Sequence, residues 1–201
     1  MTNTTRDPRR IAVWVAMADH FLDTETRQDI PRTALRCDEA GLSRTEAREV
    51  WCLEVSPAVE FNLWHIAGEW VGWDRDWLLK RINRAQPRWL DALNRLNLYS
   101  WLDRMRPNGG TLEAITRCIG LLAAQPSAAA RAQMTADLCL LSSHYFDFCP
   151  SPLAACEALD LKRLRGRYDA SFRILMATAL VAVEATRAHA RVEAAFERVS
   201  R

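Results

Sequence analysis

Asp7-Pro-Arg-Arg-Ile-Ala-Val-Trp-Val-Ala-Met-Ala-Asp-His-Phe-Leu22 is the stretch whose reading decides the fold class. Asp7 followed by Pro8 is an N-cap ahead of a proline at the first helical position, where a missing N–H leaves no bond unmade. Ile11, Trp14, Val15, Ala18, Phe21 and Leu22 then recur three and four residues apart, which is one apolar stripe along a helix. The same period returns along the chain. Pro31 opens a second helix and Gly41 closes it. Ser43-Arg-Thr-Glu46 is a capping box, and its helix carries Val50, Trp51 and Leu53 until Pro57 interrupts it. Residues 58–73 resume as a helix with Phe61, Trp64, Ile66 and Trp70. Gly68 and Gly72 in this stretch have the spacing of a close helix crossing. Asp74 caps a short helix with Trp77, Leu78 and Ile82, and Pro87 starts another through Trp89, Leu90, Leu93, Leu96 and Trp101.

Pro107-Asn-Gly-Gly110 is the strongest turn signal in the chain. It divides a Trp-rich half, 1–106, from an Ala-rich half, 107–201, which form two packed helical halves or share one core. In the second half Leu112, Ile115, Ile119 and Leu122 make one stripe; Met134, Leu138, Leu141 and Tyr145 make the next. Ser151 caps a short helix that ends near Gly166. A last helix over 167–198 presents Tyr168, Phe172, Leu175, Met176, Ala179 and Val183 on one face. Strand-type alternation is absent. The reading is all-α: an irregular bundle of about eight to ten helices, with no repeat period.

Composition agrees. The chain has 201 residues, 49% hydrophobic and 26% charged, the mix of a globular protein rather than a disordered or collagen-like one. Its 27 basic and 25 acidic residues nearly cancel, and no Lys/Arg cluster of nucleic-acid type stands out. No apolar run approaches the roughly 20 residues that span a bilayer. The N-terminus lacks the apolar core of a secretory signal, so a cytoplasmic location without membrane contact is expected. The six cysteines, at 37, 52, 118, 139, 149 and 156, fall on apolar helical faces without a Cys-x-x-Cys pair. They read as buried free thiols in a reducing compartment.

Several constellations carry possible chemistry. Ala40-Gly-Leu-Ser43 between two helices has the form of a helix-turn-helix, with Arg44 and Arg48 as groove readers. Glu46, Glu49 and Glu54 on the same helix would face phosphates, so a plain helical corner explains the stretch better. His65 and Glu69 stand one helical turn apart and could act as acid and base or as two metal ligands, but no third ligand accompanies them. His144, Cys149 and Cys156, with Cys139 as the only fourth group nearby, fall short of a zinc site. Lys162, Arg163, Arg165 and Arg167 read as a solvated helix end. No Gly-rich phosphate loop, Gly-x-Ser-x-Gly or His-Glu-x-x-His occurs, so no cofactor and no metal are expected and the reading leans away from an enzyme.

The tryptophans are the lopsided feature. All eight precede residue 102, and seven lie between Trp51 and Trp101. Core packing accounts for most of them. Trp70, Trp73 and Trp77 share a segment with Glu69, Asp74 and Asp76, which predicts an acidic-aromatic binding surface, since tryptophan concentrates in binding hot spots. The Trp-rich half is therefore where the densest packing and the binding face are both expected.

Two stretches carry a resemblance. Val13-Trp-Val-Ala-Met-Ala-Asp-His-Phe-Leu-Asp-Thr-Glu25 is one. The other is Glu54-Val-Ser-Pro-Ala-Val-Glu-Phe-Asn-Leu-Trp-His-Ile-Ala-Gly-Glu-Trp70, continuing to Trp77 and Ile82. Together they resemble an uncharacterised bacterial family of small helical proteins over roughly the first 85 residues. The resemblance implies no activity and gives no residue a role. The expected function is a cytoplasmic protein-binding module, most concretely an immunity protein whose acidic-aromatic surface covers the basic site of a secreted antibacterial toxin. A DNA-binding regulator using Arg44 and Arg48, and a helical metal protein or enzyme using His65 and Glu69, are the alternatives.

Overall fold

The computed structural model describes residues 7–22, 26–60, 62, 72–84 and 110–145, then 164, 166–169, 172, 175, 176, 179 and 180. Among these the elements are all helical and no strand occurs, as the all-α reading expects. Helix α1 (Pro8–Ala18) begins on its cap: the Asp7 side chain accepts from the Arg9 N–H, with Pro8 in the first turn. Its stripe buries Val13, Trp14, Met17 and Ala18. The stripe runs to Leu22, but the α-helix stops at Ala18. Asp19–Phe21 tighten into a 3-10 turn that buries His20 and Phe21. A second such turn, Arg27–Asp29, leads into α2 (Ile30–Glu39), which closes at Gly41 as expected.

Helix α3 (Arg44–Glu49) carries both halves of its capping box. The Ser43 hydroxyl accepts from the Glu46 N–H at 3.2 Å, and the Glu46 carboxylate accepts from the Ser43 N–H at 2.8 Å. These bonds hold the Glu46 carboxyl below the usual carboxylate range. Pro57 does not interrupt this helix. Val50–Val55 is π-helical, and α4 (Ser56–Val59) follows directly with Pro57 in its first turn. A proline ring crowds the carbonyl one turn back and offers no N–H. The wider π turn before it takes up that misfit, so the chain keeps its direction.

Gly72 is the second correction. Residues 72–74 are not helical, and Gly72 has φ 136 with nothing within 4 Å of where a Cβ would stand. The glycine is there for a backbone conformation that L side chains rarely adopt, not for a close helix crossing. Helix α5 (Arg75–Arg84) follows, capped by Asp74 as expected: its Oδ1 accepts from the Trp77 N–H at 2.7 Å.

Helix α6 (Thr111–Ala123) is the most enclosed of the described helices, with residues such as Leu112, Ile115, Cys118, Ile119 and Leu122 buried around most of its circumference. Helix α7 (Ala128–Tyr145) buries Met134, Leu138 and Leu141. Helix α2 lies between, packed on α1, α6 and α7, with its largest contact on α6. The helix break expected near Gly166 falls two residues later. Gly166 and Arg167 are helical, the chain bends at Tyr168, and the Asp169 carboxylate caps a new start by accepting from the Phe172 N–H at 2.7 Å. Met176, Ala179 and Leu180 are buried, whereas Leu175, at the edge of their stripe, is 47% exposed.

One hydrophobic cluster takes in Trp14, Phe21 and Trp51 together with Ile115, Leu122, Leu138 and Met176, so residues from both halves of the sequence contribute to it. Cys37, Cys52 and Cys118 are buried in it and Cys139 is half-buried, all as free thiols. Burial pushes the Cys37 and Cys118 thiols up to about 12, which leaves them as small hydrophobes. Among the described residues no helix is long and apolar enough to cross a membrane.

Candidate functional site

The site is built from the turn at Gly72 outward. Leaving that turn, Trp73 donates its indole N–H to the Ala18 carbonyl at 2.8 Å, which ties the start of α5 to the end of α1. One turn later the Trp77 ring stacks on Trp73, with centroids 5.5 Å apart and planes within 6°. The Arg81 guanidinium lies 5.6 Å from the Trp77 ring centroid on the following turn. Its Nε–H donates to the Ala58 carbonyl at 3.0 Å. Trp77 is thus positioned by an anchored ring and an anchored cation, yet stays 37% exposed. A tryptophan held in one place loses little conformational freedom when a partner covers it.

Pro57, Trp77, Lys80, Arg81 and Arg84 line a groove of about 340 Å³ beside this ring. Lys80, Arg81 and Arg84 follow Trp77 by three, four and seven positions and so share its side of the helix. Lys80, Arg81 and Arg84 are exposed. Asp74 and Asp76 stand at the opposite, N-terminal end of α5, where a carboxylate is favoured by the helix dipole, and Asp74 is engaged as the cap. The described part of the surface is therefore aromatic with a mainly basic groove, α5 carrying four cations to one carboxylate. Glu69 and Trp70, the other expected members, lie outside the described residues. Sequence reasoning missed Pro57, Lys80, Arg81 and Arg84. The recurrence of cations three, four and seven residues after Trp77 was the available signal.

Arg44 and Arg48 have other neighbours. Helix α3 packs on α6. A Cβ added to Gly120 of α6 would stand 1.8 Å from an Nη of Arg44, so the guanidinium occupies the gap that this glycine leaves. Arg48 is half-buried. Arg44 is thus used to seat one helix on another. His65 and Glu69 lie outside the described residues, as do Cys149, Cys156 and the side chain of His144. Among the described residues no group of three or more His, Cys, Asp or Glu could hold a metal ion. Of the basic run, Arg167 pairs with Asp137 at 2.5 Å, and the Tyr168 hydroxyl donates to the same carboxylate at 2.8 Å. Desolvation, then that bond, pushes the Tyr168 hydroxyl up to about 12. Arg167 is exposed while tied to α7 through Asp137, and Lys162, Arg163 and Arg165 lie outside the described residues.

The roles of three polar groups, His20 buried and Glu54 and Asp19 half-buried, did not show in the sequence. Glu54, on the π-helical turn, accepts from the Arg10 guanidinium and from the Trp14 indole N–H, the latter at 2.5 Å. His20 is buried between two threonines, with Nε2 at 2.9 Å from the Thr33 hydroxyl and Nδ1 at 3.2 Å from that of Thr26. Because the Thr33 hydroxyl donates to the Ala16 carbonyl, the network assigns the proton to Nε2 and leaves Nδ1 as the acceptor. Beside it, burial and the neighbouring Asp29 carboxylate push the Asp19 carboxyl up to about 6. Glu54 and His20 join segments apart in sequence, and the Asp19 shift comes from burial and a carboxylate ten residues on, so local patterning does not reveal them.

No curated protein and no solved structure matches the chain. A family model described as "Domain of unknown function (DUF7079)" matches residues 8–110, just over half of the chain and the whole of α1 to α5, and the chain belongs to that family.

Proposed function

We propose that this chain is a protein-binding module whose docking face is the outer side of α5, centred on Trp77. The observation that carries the reading is the Trp73–Trp77–Arg81 stack: a large ring, anchored at both neighbours and left 37% exposed. Burying an exposed large ring costs nothing structurally in the free chain and gives a partner a preformed anchor, the usual anatomy of a hot spot. In its most specific form the partner is a secreted antibacterial toxin and the chain a cytoplasmic immunity protein, a role that asks for a small, rigid, tightly fitting cover.

The test is co-expression with the proteins encoded on either side of the gene, with the chain as bait. The wild-type chain retains a partner and Trp77→Ala does not, while both elute as folded protein. For the toxin form, wild type but not Trp77→Ala relieves growth arrest by the neighbouring protein. A partner held equally by both variants, or no partner held by wild type, contradicts the reading.

A further inference from the structure

Resting on that reading, we infer that the partner enters the groove with an acidic segment, its carboxylates on Lys80, Arg81 and Arg84 and an apolar side chain on Trp77. This reverses the polarity expected from the sequence, where the carboxylates of the Trp-rich stretch were to meet a basic partner.

Four observations converge on it. Pro57 and the Trp77 ring line the groove together with three cations. All three cations are exposed, and neither Lys80 nor Arg84 makes an ion pair with a described residue. Arg81 is held by the Ala58 carbonyl and the Trp77 ring, so its planar fork is oriented before any partner arrives. The carboxylates of α5 and its cap, Asp74 and Asp76, stand at the far end of the helix and do not line the groove. A carboxylate-bearing segment therefore meets charge complementarity along the groove and finds an apolar anchor at Trp77.

A nucleic-acid backbone is the other polyanion that such a groove could attract. It fits less well. A backbone contact of about six to ten phosphates needs as many cations, and among its described lining residues this groove offers three. Asp76, exposed on the first turn of the same helix, would face the continuing phosphates.

The experiment uses the full chain and a fluorescein-labelled ten-residue peptide of alternating Glu and Leu, read by anisotropy. Its controls are the Lys/Leu counterpart, a ten-nucleotide thymidine strand and phosphatidylserine vesicles. The acidic peptide binds and the Lys peptide does not. Lys80→Glu with Arg84→Glu weakens the acidic peptide about thirtyfold and creates binding of the Lys peptide. Lys80→Gln with Arg84→Gln loses affinity for the first without gaining the second, and Trp77→Ala weakens the acidic peptide. Both charged positions are exposed, and unchanged circular dichroism checks that the variants fold.

Equal binding of the acidic peptide by wild type and the charge-reversed variant overturns the proposal. So does tighter binding of the thymidine strand or the vesicles than of the peptide, lost on the same reversal. The two readings separate on any co-purified partner. Dependence on Trp77 but indifference to Lys80 and Arg84 removes the acidic segment and leaves the docking face. Indifference to all three removes both.

Discussion

Trp51 and Trp77 are the same residue type put to opposite uses. Trp51 is 0% exposed, lies against Phe21 at 4.9 Å between centroids, and its indole N–H has no hydrogen-bond partner. Trp77 is 37% exposed and held by a ring on one side and a cation on the other. The first contributes through area removed from water and accepts an unsatisfied donor as a cost. The second leaves area uncovered and is fixed by contacts that do not need it buried. A stretch rich in tryptophan thus supplies both a core and a face, and the neighbours of each ring decide which.

The largest effect that would sharpen this contrast is on stability. Trp51→Ala should cost about 3–5 kcal/mol, the range for emptying a large aromatic from a core, whereas Trp77→Ala should cost less than about 1 kcal/mol. Urea unfolding of both variants checks this, and similar losses at the two sites would break the comparison. Trp51→Phe is informative in the opposite direction. It removes the unpartnered N–H with part of the ring, and its loss should fall well below that of Trp51→Ala.

Next in size is the strut beneath α1. Glu54→Gln removes the charge that Arg10 and Trp14 share, and should cost about 2 kcal/mol, since a half-buried guanidinium is left without its counter-charge. Glu54→Gln combined with Arg10→Met should recover part of that loss in a double-mutant cycle. Additive losses would show that the two residues are not coupled.

The pH dependence is smaller. The Asp19 carboxyl is raised in the folded chain, so the folded state holds its proton more tightly than the unfolded one. The sign follows: the group favours folding when protonated, and that contribution declines as pH rises from about 4 through about 6. Asp19→Asn should flatten this part of the stability–pH curve and raise stability at pH 7 by about 1 kcal/mol, the shift being discounted for a half-exposed group. An unchanged slope between pH 4 and 6 would contradict the assignment.

Gly120→Ala should have the smallest effect. The added methyl displaces the Arg44 guanidinium, a flexible end, while alanine gains up to about 1 kcal/mol of helix propensity. A melting temperature within a few degrees of wild type is expected. A large loss would show that the Arg44 seat holds α3 on α6.

What was legible in the sequence follows from range. Caps and stripes are local, so Asp7-Pro8, the Ser43–Glu46 box, Gly41, Asp74 and the α6 stripe could all be read directly. Pro57 and Gly72 misled because each has a stock local meaning that the surrounding chain overrides, one through a π turn and the other through a positive φ. The packing expected among the tryptophans falls largely outside the described residues, while α6, which has none, is buried around most of its circumference. Enclosure depends on how many elements surround a helix, and no single stripe states that. Of the expected surface, the structure places Trp77 on the groove with Trp73 stacked against it, and Asp74 and Asp76 away from it. The cations were not legible, because the local pattern does not say that α5 lays Lys80, Arg81 and Arg84 beside Pro57, more than 20 residues earlier in the chain.

The most direct measurement labels the full chain with 5-fluorotryptophan, assigns the resonances of its eight tryptophans by single Trp→Phe variants, and titrates the Glu/Leu peptide. The docking face on α5 predicts that the Trp77 resonance shifts, with a smaller movement at its stacking partner Trp73, while Trp14 and Trp51 stay where they are. A stationary Trp77 resonance at saturating peptide would contradict it.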